Sequence, residues 1–220
     1  MEQPPRRVYV WDLPVRLSHW GLFIALVLAW VSAQLGFEWR HVHTWSGYAV
    51  IVLVGFRLLW GVLGSETARF TDFLAGPRKV WRYVRGWRRQ APALGHNPLG
   101  GWAVVVLLAA ALLQAVTGLF ATDDILFSGP LNGAVSNATA DALSGLHTGF
   151  ANTLVALVVL HVLAIAVYRL VRGEDLLRPM ITGYKPDGGR QPWTAPLYRA
   201  LVLLAAVAGA LALLLWAAGS

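Results

Sequence analysis

The chain has 220 residues, of which 57% are hydrophobic and only 13% are charged, and its mean hydropathy is +0.56. Soluble domains are about one quarter charged, so this composition predicts an integral membrane protein rather than a soluble or nucleic-acid-binding domain, despite a net charge of +7. Cysteine is absent, which excludes disulfides, thiolate-bound iron–sulfur clusters and haem attached through a CxxCH motif. Histidine, with six copies, is then the obvious metal ligand.

Apolar stretches long enough to cross a bilayer follow one another along the chain. The first is preceded by a polar, basic segment and is too long for a signal-peptide core, so we predict an uncleaved transmembrane helix. A polar connection at 64–100 follows the second stretch, and 122–146 is a loop rich in Gly, Ser, Asn and Asp. The predicted helices span 17–35, 45–63, 101–121, 147–171 and 197–217.

The basic residues predict how these helices are oriented, because Lys and Arg concentrate in cytoplasmic segments. With the N-terminus inside, every Lys and Arg except Arg40 belongs to the inner side. We therefore predict a cytoplasmic N-terminus and an external C-terminus. The outer loops carry acidic residues instead: Glu38, Asp123, Asp124 and Asp141. Tryptophans close to predicted helix ends fit an aromatic belt: Trp39, Trp45, Trp60, Trp102, Trp193 and Trp216.

The segment 76–92, within the inner connection, alternates apolar and basic residues at helical spacing. This pattern predicts a short amphipathic helix that lies on an anionic inner leaflet. A solvated basic loop that only determines the topology is the alternative interpretation.

Four of the six histidines fall at two depths of the predicted bundle. His147 and His161 are fourteen residues apart, so they share one helix face and lie about 21 Å apart along its axis. His19 lies at the inner end of the first helix, and His43 lies just before the second helix at its outer end. Depth therefore pairs His19 with His161 and His43 with His147. Each pair supplies two axial ligands from facing helices, as a six-coordinate b-type haem requires.

Other metal sites fit this arrangement less well. Zinc and copper need three or four ligands at one point, which pairs about 21 Å apart cannot provide. For each histidine taken singly, the alternative is a hydrogen-bonded residue at the membrane surface. His41 and His96 are left over, and His41 has no partner at its depth. For His96, just before the third helix, we expect a structural role; capping of that helix, proton relay and simple solvation are the options considered.

Three further residues are placed to hold a porphyrin. Gly47, one turn after His43, makes room for a flat ring, although small residues also serve helix packing. Arg57, fourteen residues after His43, is a charge deep in an apolar helix and a candidate partner for a haem propionate at the inner depth. Arg16, three residues before His19, is a second propionate candidate. For both arginines the alternative is a side chain that reaches the cytoplasmic headgroups.

Several stretches match one known pattern as a set. They are VYVWDLPVRLSHW at 8–20, HTWSGYAVIVLVGFRLLWG at 43–61, GHNPLGGW at 95–102 and LLQAVTGLF at 112–120, together with the fourteen-residue histidine spacing. Together they resemble the bacterial cytochrome b561 family, in particular the cytochrome b subunits of nickel–iron hydrogenases. The resemblance covers about residues 8–175.

This resemblance implies an all-α integral membrane protein in which residues 1–175 form a four-helix bundle with two haems. The implied ligands are His19, His43, His147 and His161. The linker and fifth helix, 176–220, depart from the family pattern because many members lack them, and we expect them to be peripheral.

The implied function is electron transfer across the bacterial inner membrane, between a periplasmic redox partner and the quinone pool. Histidine on both faces of each iron leaves no open coordination position, so we expect outer-sphere electron transfer. The outer centre (His43 and His147) is expected to serve a periplasmic c-type cytochrome, hydrogenase or dehydrogenase. The inner centre is expected to serve quinone, with Arg57, Trp60 and His96 as candidate contacts.

Two other functions stay open at this stage. Some cytochrome b561 relatives are stand-alone superoxide:quinone oxidoreductases, and a membrane scaffold or transporter without haem would use the histidines as pH sensors. Membrane lipid is an expected partner, nucleic acid is not, and homo-oligomerisation is left open.

Overall fold

The computed structural model describes residues 7–123, 125–186 and 190–219; Asp124, assigned above to an outer loop, lies outside the described residues. Within these ranges, five helices are long and apolar enough to cross a membrane, so the chain is a multi-pass membrane protein. The helices are α1 (Leu13–Gln34), α2 (Arg40–Leu63), α3 (Phe70–Phe73), α4 (Pro77–Arg85), α5 (Pro98–Gly118), α6 (Asn137–Arg172), α7 (Leu177–Thr182) and α8 (Leu197–Gly219). The spanning helices are α1, α2, α5, α6 and α8.

Capping side chains, rather than the edges of apolar runs, determine where three of the spanning helices, α1, α5 and α6, begin. α1 begins earlier than predicted because Asp12 accepts a hydrogen bond from the Val15 N–H at 2.8 Å. α5 begins after Asn97, whose side chain accepts a hydrogen bond from the Gly100 N–H at 2.8 Å. Both caps satisfy N–H groups that have no partner within the helix.

The start of α6 differs most from the prediction. Ser136 caps this helix by accepting a hydrogen bond from the Thr139 N–H at 3.3 Å, so α6 begins at Asn137. The loop predicted over 122–146 was therefore wrong in its second part, and His147 lies inside a continuous helix. His43 also lies within the first turn of α2 and not before it.

Each spanning helix packs against one or more of the other spanning helices. α1 packs along α2, α2 also contacts α5 and α8, and α5 packs along α6. Within the described residues, the backbone of α6 approaches α1 and α2 only sparsely, so a gap separates α6 from the α1–α2 pair. The α2–α8 contact is close at Gly55, where an added Cβ would lie 2.8 Å from Val207 Cγ1.

A short two-stranded sheet, which the all-α prediction did not include, lies at the end of the bundle that holds the N-terminus. Strand β1 (Arg7–Tyr9) pairs antiparallel with strand β2 (Tyr184–Pro186). Val8 and Val10 are each 1% exposed and belong to a buried cluster with residues of α1 and α2. Residues 7–12, which precede α1, are therefore a packed part of the fold.

Trp60 belongs to the same buried cluster, and the prediction that it lies in an aromatic belt was wrong. Its side chain is fully buried, and its indole N–H donates to Asp12 Oδ2 at 2.9 Å. The side chain that caps α1 thus also binds α2, which fixes these two helices to each other.

Candidate functional site

The outer pair consists of His43 in α2 and His147 in α6. Their ring centroids are 5.9 Å apart, and the ring planes are perpendicular at 90°. Two imidazoles bonded to opposite sides of one metal ion have centroids about 6.3 Å apart when each metal–nitrogen bond is about 2.0 Å. The pair therefore faces across a gap of the size that one metal ion needs.

Hydrogen bonds determine the tautomer of both outer rings. His43 Nδ1 donates to the Ala29 carbonyl at 2.8 Å, and His147 Nδ1 donates to the Gln114 carbonyl at 2.8 Å. A carbonyl oxygen only accepts, so each Nδ1 carries the proton and each Nε2 keeps a free lone pair. A second partner that orients the ring in this way is the usual companion of a metal-bound histidine.

A cavity of about 740 Å³ lies beside the outer pair. It is lined by residues of α1, α2, α5 and α6, including both outer histidines and Gly47. A Cβ added at Gly47 would meet no atom within 4 Å, so this position borders open space. The volume lies within the roughly 300–1,000 Å³ of cofactor and small-molecule sites.

Gly118 in α5 is a site residue that the sequence analysis did not single out. A Cβ at this position would lie 2.8 Å from His147 Cε1, closer than normal van der Waals contact. Glycine therefore lets α5 approach the imidazole, and the Gln114 carbonyl one turn earlier accepts its proton. The stretch LLQAVTGLF contains both residues, but only the packing of α5 on α6 assigns them to His147.

The inner pair consists of His19 in α1 and His161 in α6. Their ring centroids are 6.3 Å apart with an interplanar angle of 55°, which again fits two ligands of one metal ion. His19 Nδ1 is buried and has no hydrogen-bond partner among the described residues. The inner pair therefore differs from the outer pair, whose Nδ1 atoms are both bound to backbone carbonyls.

Arg57 is buried near the inner end of α2. The residue is only 6% exposed, and its guanidinium carbon lies 5.4 Å from the centre of the Phe70 ring. Asp12 is the anion whose charge acts on it, yet Arg57 Nη1 is buried without a partner among the described residues. The side chain is not extended to the surface, so it keeps a donor available for a further anion.

Arg16 in α1 is half-buried. Its Nη1 donates to the Ile181 carbonyl at 2.6 Å, and its Nε is buried without a partner in the described part of the chain. One end of this guanidinium is thus held by the segment after α6, while the other keeps an unused donor.

His96, predicted above to have a structural role and also named as a candidate quinone contact, lies near enough to the inner pair for the charges of His19 and His161 to act on it. Its ring is sandwiched between Trp11 and Phe73, with centroid distances of 4.6 and 4.4 Å. Burial, followed by the charges of Arg57 and Lys185, lowers the pKa of His96 to about 3. The imidazole is therefore neutral near pH 7, and the sandwich holds its orientation.

Within the described residues, no three His, Asp or Glu side chains converge on one point as a metal site. The two facing histidine pairs are the candidate metal ligands that the structure brings together.

The family model of prokaryotic cytochrome b561 matches residues 10–183 of this chain. A probable Ni/Fe-hydrogenase B-type cytochrome subunit of Azotobacter chroococcum mcd 1 is 27% identical over 219 residues, which covers 81% of this chain and 88% of the relative. The corresponding Azotobacter vinelandii protein is 27% identical over 141 residues, which covers 50% of this chain and 58% of the relative.

A probable Ni/Fe-hydrogenase 1 B-type cytochrome subunit of Escherichia coli K12 is 25% identical over 136 residues, again 50% of this chain and 58% of the relative. The matched part thus spans little more than half the length of two of these three relatives. No solved structure matches this chain.

Proposed function

Because the chain belongs to the prokaryotic cytochrome b561 family, we propose that it transfers electrons across the membrane through two b-type haems, one held by each histidine pair. The family implies haem b and transmembrane electron transfer. The facing imidazoles, 5.9 and 6.3 Å apart between ring centroids, are the observation that supports two centres. When bound, haem supplies a one-electron carrier whose iron changes between the ferric and ferrous states.

In this proposal α1, α2, α5 and α6 form the haem-holding bundle within residues 1–175. The gap between α6 and the α1–α2 pair supports this assignment, since a flat cofactor separates helices that would otherwise pack directly. The linker and α8, within 176–220, are peripheral: α8 packs on α2 and carries no histidine. We also propose that the chain lies in a bacterial inner membrane with its N-terminus in the cytoplasm. The outer pair then lies on the periplasmic side.

The residues around the two pairs favour electron flow from the outer centre to the inner one. At the outer pair, hydrogen bonds from Nδ1 to the Ala29 and Gln114 carbonyls make both imidazoles stronger donors, which favours ferric iron. At the inner pair, Arg57 and Arg16 place positive charge near the site, which favours ferrous iron. We propose that their free donors bind haem propionates.

For partners, the names of the relatives support a hydrogenase-type redox enzyme, and we propose that it binds at the periplasmic side. We propose that this enzyme delivers electrons to the outer centre and that quinone accepts them at the inner centre. Co-purification of the tagged chain with a redox enzyme tests the partner. If the chain by itself reduced quinone with superoxide, and no enzyme co-purified, the subunit assignment would be wrong and a stand-alone oxidoreductase would replace it.

The cofactor content gives the first test. We expect the purified chain to hold two haems b per polypeptide, removable by acid–acetone because cysteine is absent. A pyridine haemochrome assay with protein quantification measures this ratio. One haem per chain would contradict the two-centre proposal, and a colourless protein would favour a scaffold or transporter.

Replacement of Gly118 tests the close approach of α5 to His147. In Gly118→Ala, the new methyl overlaps the His147 ring, and overpacking of about 1–3 kcal/mol should weaken outer-haem retention roughly 5- to 150-fold. The inner haem should be retained. The matched control is Gly209→Ala in α8, where a Cβ meets no atom within 4 Å. Equal haem loss in both variants would show a general packing defect instead.

A further inference from the structure

Helix α4 separates apolar from basic residues on its two sides. Successive residues turn by about 100° around a helix, so positions of one kind that recur three and four apart share a side. The apolar side holds Val80, Trp81, Tyr83 and Val84. The basic side holds Arg78, Lys79, Arg82 and Arg85. α4 confirms that the segment 76–92 contains a helix and is not only a basic loop.

One edge of the apolar side fixes α4 to the transmembrane bundle. Tyr83 is 7% exposed, and its hydroxyl lies 2.9 Å from that of Tyr168, near the end of α6. Just beyond α4, the Arg172 guanidinium donates to the Trp87 carbonyl and, at 2.8 Å, to the Gln90 carbonyl. α4 therefore lies against the ends of α5 and α6, at the depth where spanning helices leave the membrane.

The other edge of the apolar side is uncovered. Trp81 is 59% exposed and Val84 is 45% exposed. A helix held at the end of a transmembrane bundle brings such side chains to the boundary between headgroups and acyl chains, where tryptophan is enriched. The Arg85 guanidinium lies 4.7 Å from the centre of the Trp81 ring, so a cation lies next to this exposed aromatic side chain.

The basic side carries charge that the protein does not neutralise. α4 and the turn after it expose six cations: Arg78, Lys79, Arg82, Arg85, Arg88 and Arg89. None of them forms a salt bridge with any residue that the structure describes, whereas Arg169 and Arg190 pair with Asp175 and Glu66. These unpaired cations are therefore available to bind anions from outside the chain.

We propose that α4 is a binding site for anionic phospholipids. Phosphodiester headgroups contact Arg82, Arg85 and their basic neighbours, while acyl chains cover Trp81 and Val84. An acidic soluble protein would match the cations but would leave the apolar edge without an apolar partner. A lipid supplies both an anion and a hydrocarbon chain within one molecule.

Lipid retention gives the first test. In native mass spectrometry, the full chain should retain phosphatidylglycerol or cardiolipin in preference to phosphatidylcholine. Arg82→Gln/Arg85→Gln should weaken this binding about 30-fold, at about 1 kcal/mol for each basic residue removed. The matched control, Arg169→Gln/Arg190→Gln, also removes two charges but from cations already paired with acids, and should change the affinity less than about threefold. Equal losses in the two variants, or no preference for anionic lipid, would overturn the proposal.

The second test locates the acyl chains. In vesicles that contain phosphatidylglycerol with brominated chains, Trp81 should be quenched, so Trp81→Phe should lose part of the quenchable tryptophan fluorescence. Trp216→Phe, at the exposed far end of α8, is the control for a tryptophan outside this site. The same bromines on phosphatidylcholine, at equal density in an otherwise anionic membrane, should quench Trp81 less. An unchanged quenchable fraction in Trp81→Phe would mean that the exposed edge contacts something other than lipid.

Discussion

Replacing His43 or His147 with alanine should remove the outer haem and leave the inner one, while replacing His19 or His161 should do the reverse. The reason is that, in the proposed arrangement, each facing pair would hold one iron, so loss of either ligand would open a coordination position and release the cofactor. Haem content should fall by about half in each variant. In potentiometric titrations of membranes, the two variants of one pair should lack the same redox component. Variants of the other pair should lack the other component.

His41→Ala is the matched control, because His41 is exposed in the same helix turn as His43 and belongs to neither pair. It should keep both haems and both midpoint potentials. If His43→Ala and His161→Ala lost the same component, the depth pairing would be wrong. If His41→Ala also lost haem, the loss in His43→Ala would reflect damage to the start of α2.

Arg57→Leu should lower the midpoint potential of the inner haem by about 70 mV, the effect of a unit charge about 10 Å away at an effective dielectric constant of about 20. The sign follows because a buried cation stabilises the ferrous state, which carries one positive charge fewer than the ferric state. The outer haem, about 21 Å further along the bundle, should shift much less. Retention of the inner haem should also weaken, since a propionate loses its charged partner.

Arg57→Lys separates charge from geometry. It keeps the positive charge, so the potential should stay within about 20 mV of the original, while the loss of the planar donor fork should still weaken haem retention. Unchanged potentials and full haem content in Arg57→Leu would contradict the propionate assignment. That result would mean that Asp12 is the only anion that Arg57 needs, and the histidine pairs would be unaffected.

The redox titration that identifies the two components also tests the proposed direction of electron flow. The carbonyl-bound imidazoles of the outer pair predict the lower potential, and the arginines near the inner pair predict the higher one. The midpoint potential that disappears in His147→Ala belongs to the outer haem, and the one that disappears in His161→Ala belongs to the inner haem. An outer centre with the higher potential would mean that flow to quinone at the inner side is uphill between the two haems.

Local properties of the sequence were sufficient for the membrane helices and for the separation of the two histidines on α6. A segment enters a bilayer according to its own length and composition, so 197–217 could be predicted almost as the structure has it, at Leu197–Gly219. The separation of His147 and His161 follows from the rise of one helix, which does not depend on packing. Hydropathy does not locate helix ends as well, because caps determine them: α6 begins after the Ser136 cap, well before the apolar stretch.

Tertiary structure decided which groups complete each site. The carbonyls that accept from His43 and His147 belong to Ala29 and Gln114, on neighbouring helices. Trp60 is a second example. It looked like a membrane-surface residue in the sequence, but it is fully buried in a cluster with residues of distant segments, where Asp12 accepts its indole N–H. Periodicity orders residues on one helix, but it contains no information on which face of another helix they meet. Contacts between distant segments therefore had to come from the packed structure.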